Sequence, residues 1–273
     1  MKKISLILLL AFAALFVVSC DKVDEPLQPI DPVYPDDPDD PTGVKTVLIK
    51  DFTGVRCVNC PGAAETVHQL QHLYGEDKVF IMSVHAGYLA QPAPTFPDFT
   101  TEEGTAWYGN SGSNPLFNVD YVDLASQSLS VNEIDIPLDD ALNEKQIFDI
   151  EIVNNYDEAT RKLTTKTNIV SVAEAEGNFY MTSCLVEDSI VGKQITPAGP
   201  DESYVHRNVF RKTLNGAYGV MVQEGYVYAD DPYDFQYEIS LDSEYNADHC
   251  YILSYVYDNN TKKIYQTAMS KVK

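Results

Sequence analysis

Basic side chains are scarce in this chain: 19 Lys+Arg face 41 Asp+Glu across 273 residues, a formal net charge of -22 at pH 7. A phosphate-binding surface needs clustered Lys and Arg, so this balance argues against nucleic acid as a partner and for solubility. Long apolar runs are scarce as well. After the stretch from Ile4 to Val18, nothing approaches the ~20 consecutive apolar residues that a membrane span needs. Cysteine is the third shortage, with only Cys20, Cys57, Cys60, Cys184 and Cys250 present.

What is there begins with an export signal. Lys2 and Lys3 precede the apolar stretch, and Val17-Val18-Ser19-Cys20 resembles a bacterial lipobox. Residues 1–19 are read as a lipoprotein signal peptide cut before Cys20, whose thiol and new amino group are then acylated, so the chain is anchored and not spanning. Residues 20–43 form a tether in which Pro26, Pro29, Pro32, Pro35, Pro38 and Pro41 recur at every third position among Asp36, Asp37, Asp39 and Asp40. That repeat is the polyproline II period, extending ~3.1 Å per residue and stiffened by like charge. Export leaves Cys57, Cys60, Cys184 and Cys250 in a compartment that permits disulfides.

Behind the tether the pattern changes once. Residues 44–145 alternate strand and helix signals, which implies an α/β sheet. Ser130-x-x-Glu133 resembles a helix capping box, with Pro137 close behind it. Residues 146–273 read as strands at Ile147 to Val153, Leu163 to Val172, Phe179 to Glu187, Phe235 to Leu241, Cys250 to Tyr257 and Ile264 to Met269. Polar turns separate them and one helix is expected near Val205 to Leu214, so the fold class is α/β followed by an all-β antiparallel sandwich.

Chemistry concentrates at Cys57-Val58-Asn59-Cys60. The β-branched run from Lys45 to Phe52 leads into it, and Gly62 to Leu70 carries apolar residues at helical spacing. A strand-loop-helix unit of this kind places Cys57 near a helix N-terminus, where the orphan amides and the helix dipole favour the attacking thiolate. Arg56, next to it, adds a positive charge for the same anion. The alternative for Cys57 and Cys60 is an inert structural disulfide.

Asp51, six positions before Cys57, gives Asp51-Phe52 and Cys57-x-x-Cys60 the arrangement of thioredoxin, which this stretch resembles over about a hundred residues. The resemblance implies a buried acid at Asp51 able to take the Cys60 proton, an attacking Cys57, a resolving Cys60, and a cis-proline at Pro115 that helps hold a substrate chain. Val58-Asn59 departs from the Gly-Pro of thioredoxin and sets no direction of electron flow. A further resemblance is carried by Asp51 to Pro61, by Ser83-Val84-His85-Ala86-Gly87 and by Asp98-Phe99-Thr100-Thr101-Glu102-Glu103-Gly104. These segments are similar to the outer membrane protein Omp twenty-eight family, which implies a thioredoxin-like domain followed by an immunoglobulin-like sandwich in a cell-envelope, outer-membrane lipoprotein.

Cys57, Cys60, His68 and His72 spell a zinc order, but His68 lies ~12 Å along the helix axis from Cys60 at ~1.5 Å per residue, so no metal is expected. His85 ends its strand as a hydrogen-bonded structural histidine or a weaker active-site candidate. Cys184 and Cys250 are candidates for a structural disulfide stapling two strands, or are two separate buried thiols. Eleven of the 18 tyrosines follow residue 200, including Tyr226, Tyr228 and Tyr233, where a binding surface is the alternative to half-buried strand positions. The leading function is thiol-disulfide exchange on envelope or surface proteins, without a cofactor. The alternative is a surface binding or adhesion lipoprotein in which Cys57-Cys60 is only structural.

Overall fold

The computed structural model describes residues 43–273. The expected signal segment, Cys20 and the tether up to residue 42 lie outside the described residues.

Strand β1 (Val47–Thr53) is buried along its whole length, covered on both faces: Val47, Leu48, Ile49 and Phe52 supply the apolar surface, and Lys50 and Asp51 are buried with them. Helix α1 (Cys60–Tyr74) carries the chain over to β2 (Val79–His85), which pairs in parallel with β1 from Val47↔Val79 to Thr53↔His85. Cys60, Ala63 and Val67 form the buried face of α1, Pro61 lies in its first turn where no backbone donor is needed, and Gly75 at φ 110 ends it. Helix α2 (Glu102–Tyr108) starts at Thr101, whose hydroxyl accepts from Gly104 N at 2.9 Å, and drives Trp107 and Tyr108 into the core. Strand β3 (Leu116–Val119) then lies antiparallel on the other side of β1, with Asp51 opposite Phe117. The capping box forms as expected: Glu133 accepts from Ser130 N at 2.8 Å and closes a short 3-10 turn ahead of helix α3 (Asp135–Leu142). Pro137 falls in the first turn of α3, where proline is tolerated.

From there the regular structure is strand apart from a 3-10 turn at Ala247–His249. The strands are β4 (Phe148–Asp157), β5 (Lys162–Ser171), β6 (Ala175–Glu187), β7 (Ile190–Thr196), β8 (Gly199–His206), β9 (Val209–Thr213), β10 (Val220–Val227), β11 (Pro232–Ser240), β12 (Cys250–Asp258) and β13 (Ile264–Lys271). The main sheet runs β13-β12-β6-β9-β2-β1-β3, with β10 also on β6. Strands from both sides of residue 145 therefore share one sheet, joined where Ser83 of β2 meets Val209 of β9, and the described residues belong to one compact unit. The second sheet, β11-β5-β4, packs through Phe148, Ile150 and Ile169 onto Phe179, Met181 and Val256 of the first. Along β4 exposed positions alternate with buried and half-buried ones, the pattern of a sheet wet on one side.

Two expectations are corrected. The helix near Val205 to Leu214 is absent, replaced by the end of β8 and by β9. Pairing of Phe210 with Val186 satisfies that backbone, and Asn208 at φ 51 breaks any helical continuity. The Cys184–Cys250 disulfide is also absent: both are buried free thiols. In the β6–β12 register Cys184 faces Leu253 and Cys250 faces Glu187, so the two lie three residues apart along the strands, ~10 Å at ~3.4 Å per residue. They also point to opposite faces, Cys184 into the cluster of Phe210 and Leu253 and Cys250 into that of Leu163 and Leu241. No bridge can span that geometry.

Candidate functional site

The loop that leaves β1 is clamped from two sides. Below it, Gly54 lies so close to the turn at Tyr88–Ala90 that a β-carbon would sit 2.6 Å from the Leu89 carbonyl carbon and 2.7 Å from Ala90 N. Arg56 N donates to Leu89 O at 3.1 Å on the same side. The Arg56 guanidinium is engaged there too, donating to Tyr88 O and lying 5.0 Å over the Tyr88 ring. Gly54→Ala forces backbone against backbone and is expected to destabilise the fold by about 3 kcal/mol in chemical denaturation; a neutral result would show that the turn can retreat.

Above the loop lies the β7–β8 hairpin. Ile195 N donates to Val55 O at 2.9 Å, and the Gln194 amide donates to Gly54 O at 3.3 Å, to Cys57 O at 3.0 Å and to Ile195 O at 3.0 Å. Within this clamp Cys57 and Cys60 form a disulfide, with Cα atoms 5.4 Å apart. They are only 1% and 2% exposed. Cys60 is the first residue of α1, so the sulfur pair sits at the helix N-terminus that the sequence pattern required.

Asp51 lies on β1 three residues before Gly54 of the loop, buried, with its Oδ1 unpartnered among the described residues. Burial alone pushes its carboxyl up to about 7, from 3.8. A cleft of about 740 Å³ separates α1 from the hairpin, and Asp51 and Cys60 both line it. Pro115 follows a cis peptide bond one residue beyond the Phe52↔Leu116 pair, at the strand end that delivers the loop.

His85 and His206 also line this cleft. His85 is buried with neither ring nitrogen partnered among the described residues, so it is not the hydrogen-bonded structural histidine expected. Burial, then the neighbouring His206 and Arg211, holds its pKa well below the usual imidazole range. His206 packs 5.6 Å from the His85 ring and 4.9 Å from Phe99, and burial lowers it to about 4. Both rings are neutral at pH 7. His68 is half-buried and also lowered by burial, whereas His72 is exposed and pairs with Glu76 at 2.8 Å.

Gln194 and His206 were not among the expected site residues. Gln194 lies 137 positions from Cys57, and no local pattern marks either residue. The late tyrosines divide: Tyr255 and Tyr257 are fully buried, while Tyr226 and Tyr228 are 56% exposed and stack with ring centroids 6.4 Å apart.

No curated protein matches this sequence. Among solved structures the chain is similar to HBP35 of Porphyromonas gingivalis, at 16% identity and a TM-score of 0.61 over 84% of this chain and 76% of that one, a likeness of fold. It also matches a domain of the outer membrane lipoprotein Omp28 from Porphyromonas gingivalis, at 19% identity and a TM-score of 0.34 over 47% of this chain and 89% of that one. The family model described as Outer membrane protein Omp28 matches residues 114–273, a stretch that begins beside Pro115 and leaves Cys57 and Cys60 outside it. That match covers more than half of the sequence, and the chain therefore belongs to the Omp28 family of outer-membrane proteins of the cell envelope.

Proposed function

We propose that this is a lipid-anchored outer-membrane protein, acylated at Cys20, in which residues 44–145 form a thioredoxin-like unit that exchanges disulfides with other envelope proteins and the later strands form an immunoglobulin-like sandwich. The observation that carries the reading is Asp51: a buried carboxyl with a pKa near 7 sharing one cleft with Cys60. Such a group exchanges protons with a thiol near neutral pH. In the oxidising direction a substrate thiolate attacks Cys57 Sγ, the Cys57–Cys60 bond breaks, and Cys60 leaves as a thiolate that takes the Asp51 proton. A second substrate thiolate then attacks the substrate sulfur held on Cys57 and releases Cys57. The substrate loses two electrons and two protons, and the pair gains both. The same steps in reverse reduce a substrate disulfide.

A second reading has its own observation. The covered disulfide, together with the exposed Tyr226–Tyr228 stack, favours a surface binding or adhesion protein in which Cys57–Cys60 is a staple. The reduction potential of the pair and disulfide turnover, wild type against Cys57→Ser, separate the two. The exchange reading expects turnover that vanishes in Cys57→Ser. A potential below about -300 mV, the range of structural disulfides, with no turnover in the wild type establishes the staple.

A further inference from the structure

Strands β6 and β9 form a hairpin in the main sheet, and β7 and β8 continue the same ribbon outward. The ribbon bends sharply where they meet. Ser189 at φ 59 and Asn208 at φ 51 turn the chain in the left-handed region, one on each strand of the ribbon. Asp188 pins this elbow by accepting from Arg207 Nε at 2.7 Å and from Asn208 N at 3.0 Å. Beyond the elbow, β7 and β8 pair only with each other, as a separate two-stranded sheet. A two-stranded hairpin on its own is marginal in water, so this one depends on what it leans against.

What it leans against is the cysteine loop and the segment before α2. Besides the Gln194 and Ile195 bonds to Gly54, Val55 and Cys57, Ile190 packs at the edge of the Val55, Phe99 and Val209 cluster. Lys193 reaches Thr95 Oγ1 at 3.3 Å and lies 5.0 Å over the Phe96 ring. Gln194 and His206 are the buried polar side chains of the hairpin, at 2% and 3% exposure, while Val191 and Val205 of the same hairpin are 67% and 45% exposed. Between the hairpin and α1 lies the cleft of about 740 Å³, with Gln194 and His206 on one wall and Cys60 on the other, so the hairpin is not packed against α1 along that side.

We propose that the β7–β8 hairpin is a gate over the Cys57–Cys60 disulfide, hinged at Ser189 and Asn208 and latched by the Gln194 side chain. Closed, it hides both sulfurs. Open, it exposes them and frees the Gly54, Val55 and Cys57 carbonyls as acceptors for the extended backbone of an incoming protein chain, which takes the place of the hairpin edge. As regulation of thiol-disulfide exchange the gate rests on the function proposed above; as a cover over the disulfide it does not.

The test uses the full chain and dithiothreitol, which gives two electrons and two protons to the disulfide and becomes a cyclic disulfide itself. Reduction is followed by alkylating the new Cys57 and Cys60 thiols and weighing the product. If opening limits access, the wild-type rate saturates as dithiothreitol is raised, and Gln194→Ala lifts the plateau roughly tenfold, the equivalent of losing one or two net hydrogen bonds. Hydrogen exchange on the wild type supplies an arm that needs no variant: the Ile195 amide is expected to exchange far faster than the β6–β12 amides, through local opening. Exchange of Ile195 only with global unfolding, or a reduction rate linear in dithiothreitol and unmoved by Gln194→Ala, overturns the gate. Neither arm involves turnover, so a protein with a working gate and no exchange activity would retain the gate and lose the function.

Discussion

Asp51→Asn is expected to stabilise the fold by about 4 kcal/mol at pH 8 and to leave it unchanged at pH 4, in denaturant titrations of both proteins at each pH. Burial holds the Asp51 carboxyl near 7 in the folded chain, against 3.8 when it is exposed. As pH rises past 3.8 the unfolded chain releases this proton and the folded chain keeps it. Each pH unit between 3.8 and 7 then costs about 1.4 kcal/mol of stability. Above 7 both states are ionised and the full penalty remains; below 3.8 both are protonated and none exists. His206, lowered to about 4, slopes the opposite way between there and 6.5, because the unfolded imidazole binds a proton that the buried one refuses. The difference between variant and wild type removes that contribution, and a difference that stays flat from pH 4 to pH 8 would show that Asp51 is not the titrating group. The same substitution removes the acid that shares the cleft with Cys60, so exchange activity is expected to fall while stability rises. That opposite movement separates a working acid from a merely tolerated one.

Such a cost is legible in sequence only in part. The strand, the Cys-x-x-Cys pair and the acid six residues before it announce themselves locally, because β-branched runs, helical periodicity and fixed spacings are short-range signals. The capping box at Ser130 and Glu133 is local in the same sense, as is the polar turn between the strands at Cys250 to Tyr257 and Ile264 to Met269. What covers the site is not local. The β7–β8 hairpin carries Lys193, Gln194 and Thr196 and has only an irregular apolar alternation, and Gln194 acquires its meaning from three carbonyls, two of them more than 130 positions away. The segment from Val205 to Leu214 has helical spacing, yet pairing with β6 and the turn at Asn208 override it. The two late cysteines fail to meet for a reason no composition reveals, a register offset of three residues. His85 shows the same limit from the other side: its strand was readable, but its unpartnered burial against His206 depends on the ribbon folding back.

The covered disulfide and the ionisable side chains of β1 are connected problems. The resemblance to thioredoxin implies a pair open to its substrates, whereas this chain spends a hairpin on hiding it. The hairpin's Gln194 and His206 also wall the cleft that Asp51 lines, and it is burial that raises the Asp51 pKa. Lifting the hairpin would let water in and lower that pKa, so an open gate favours the carboxylate, the form that accepts the Cys60 proton. Opening and proton acceptance are thereby linked through one physical cause, the dielectric around Asp51.

Lys50, the neighbour of Asp51 on the opposite face of β1, gives the reverse result. Lys50→Met is expected to be more stable than wild type by about 3–4 kcal/mol below pH 7, an advantage that fades as pH climbs toward 10. Burial lowers the Lys50 ammonium from 10.5 to about 7. Between those values the unfolded chain holds a proton that the folded chain has shed, so wild-type stability rises with pH; below 7 the folded chain must bury the charge and bears the whole penalty. Part of that penalty is offset where the ammonium sits, 4.1 Å over the Trp107 ring and 4.6 Å over the Tyr255 ring, donating to Val122 O at 2.8 Å and to the Tyr255 hydroxyl at 3.2 Å. Methionine keeps the length and the apolar contact but leaves those two acceptors without this donor, which takes about 1–2 kcal/mol back from the gain. Near pH 7 the chain carries both burdens on adjacent residues, the Asp51 penalty nearly complete and the Lys50 penalty not yet relieved. They differ in what they face: Asp51 looks into the cleft with Cys60, Lys50 into the packed side chains of α2 and β12. Lys50→Met is therefore expected to leave the rate of Cys57–Cys60 reduction at its wild-type value while Asp51→Asn changes it. An equal effect of both on that rate would mean that β1 acts on the disulfide through its stability alone.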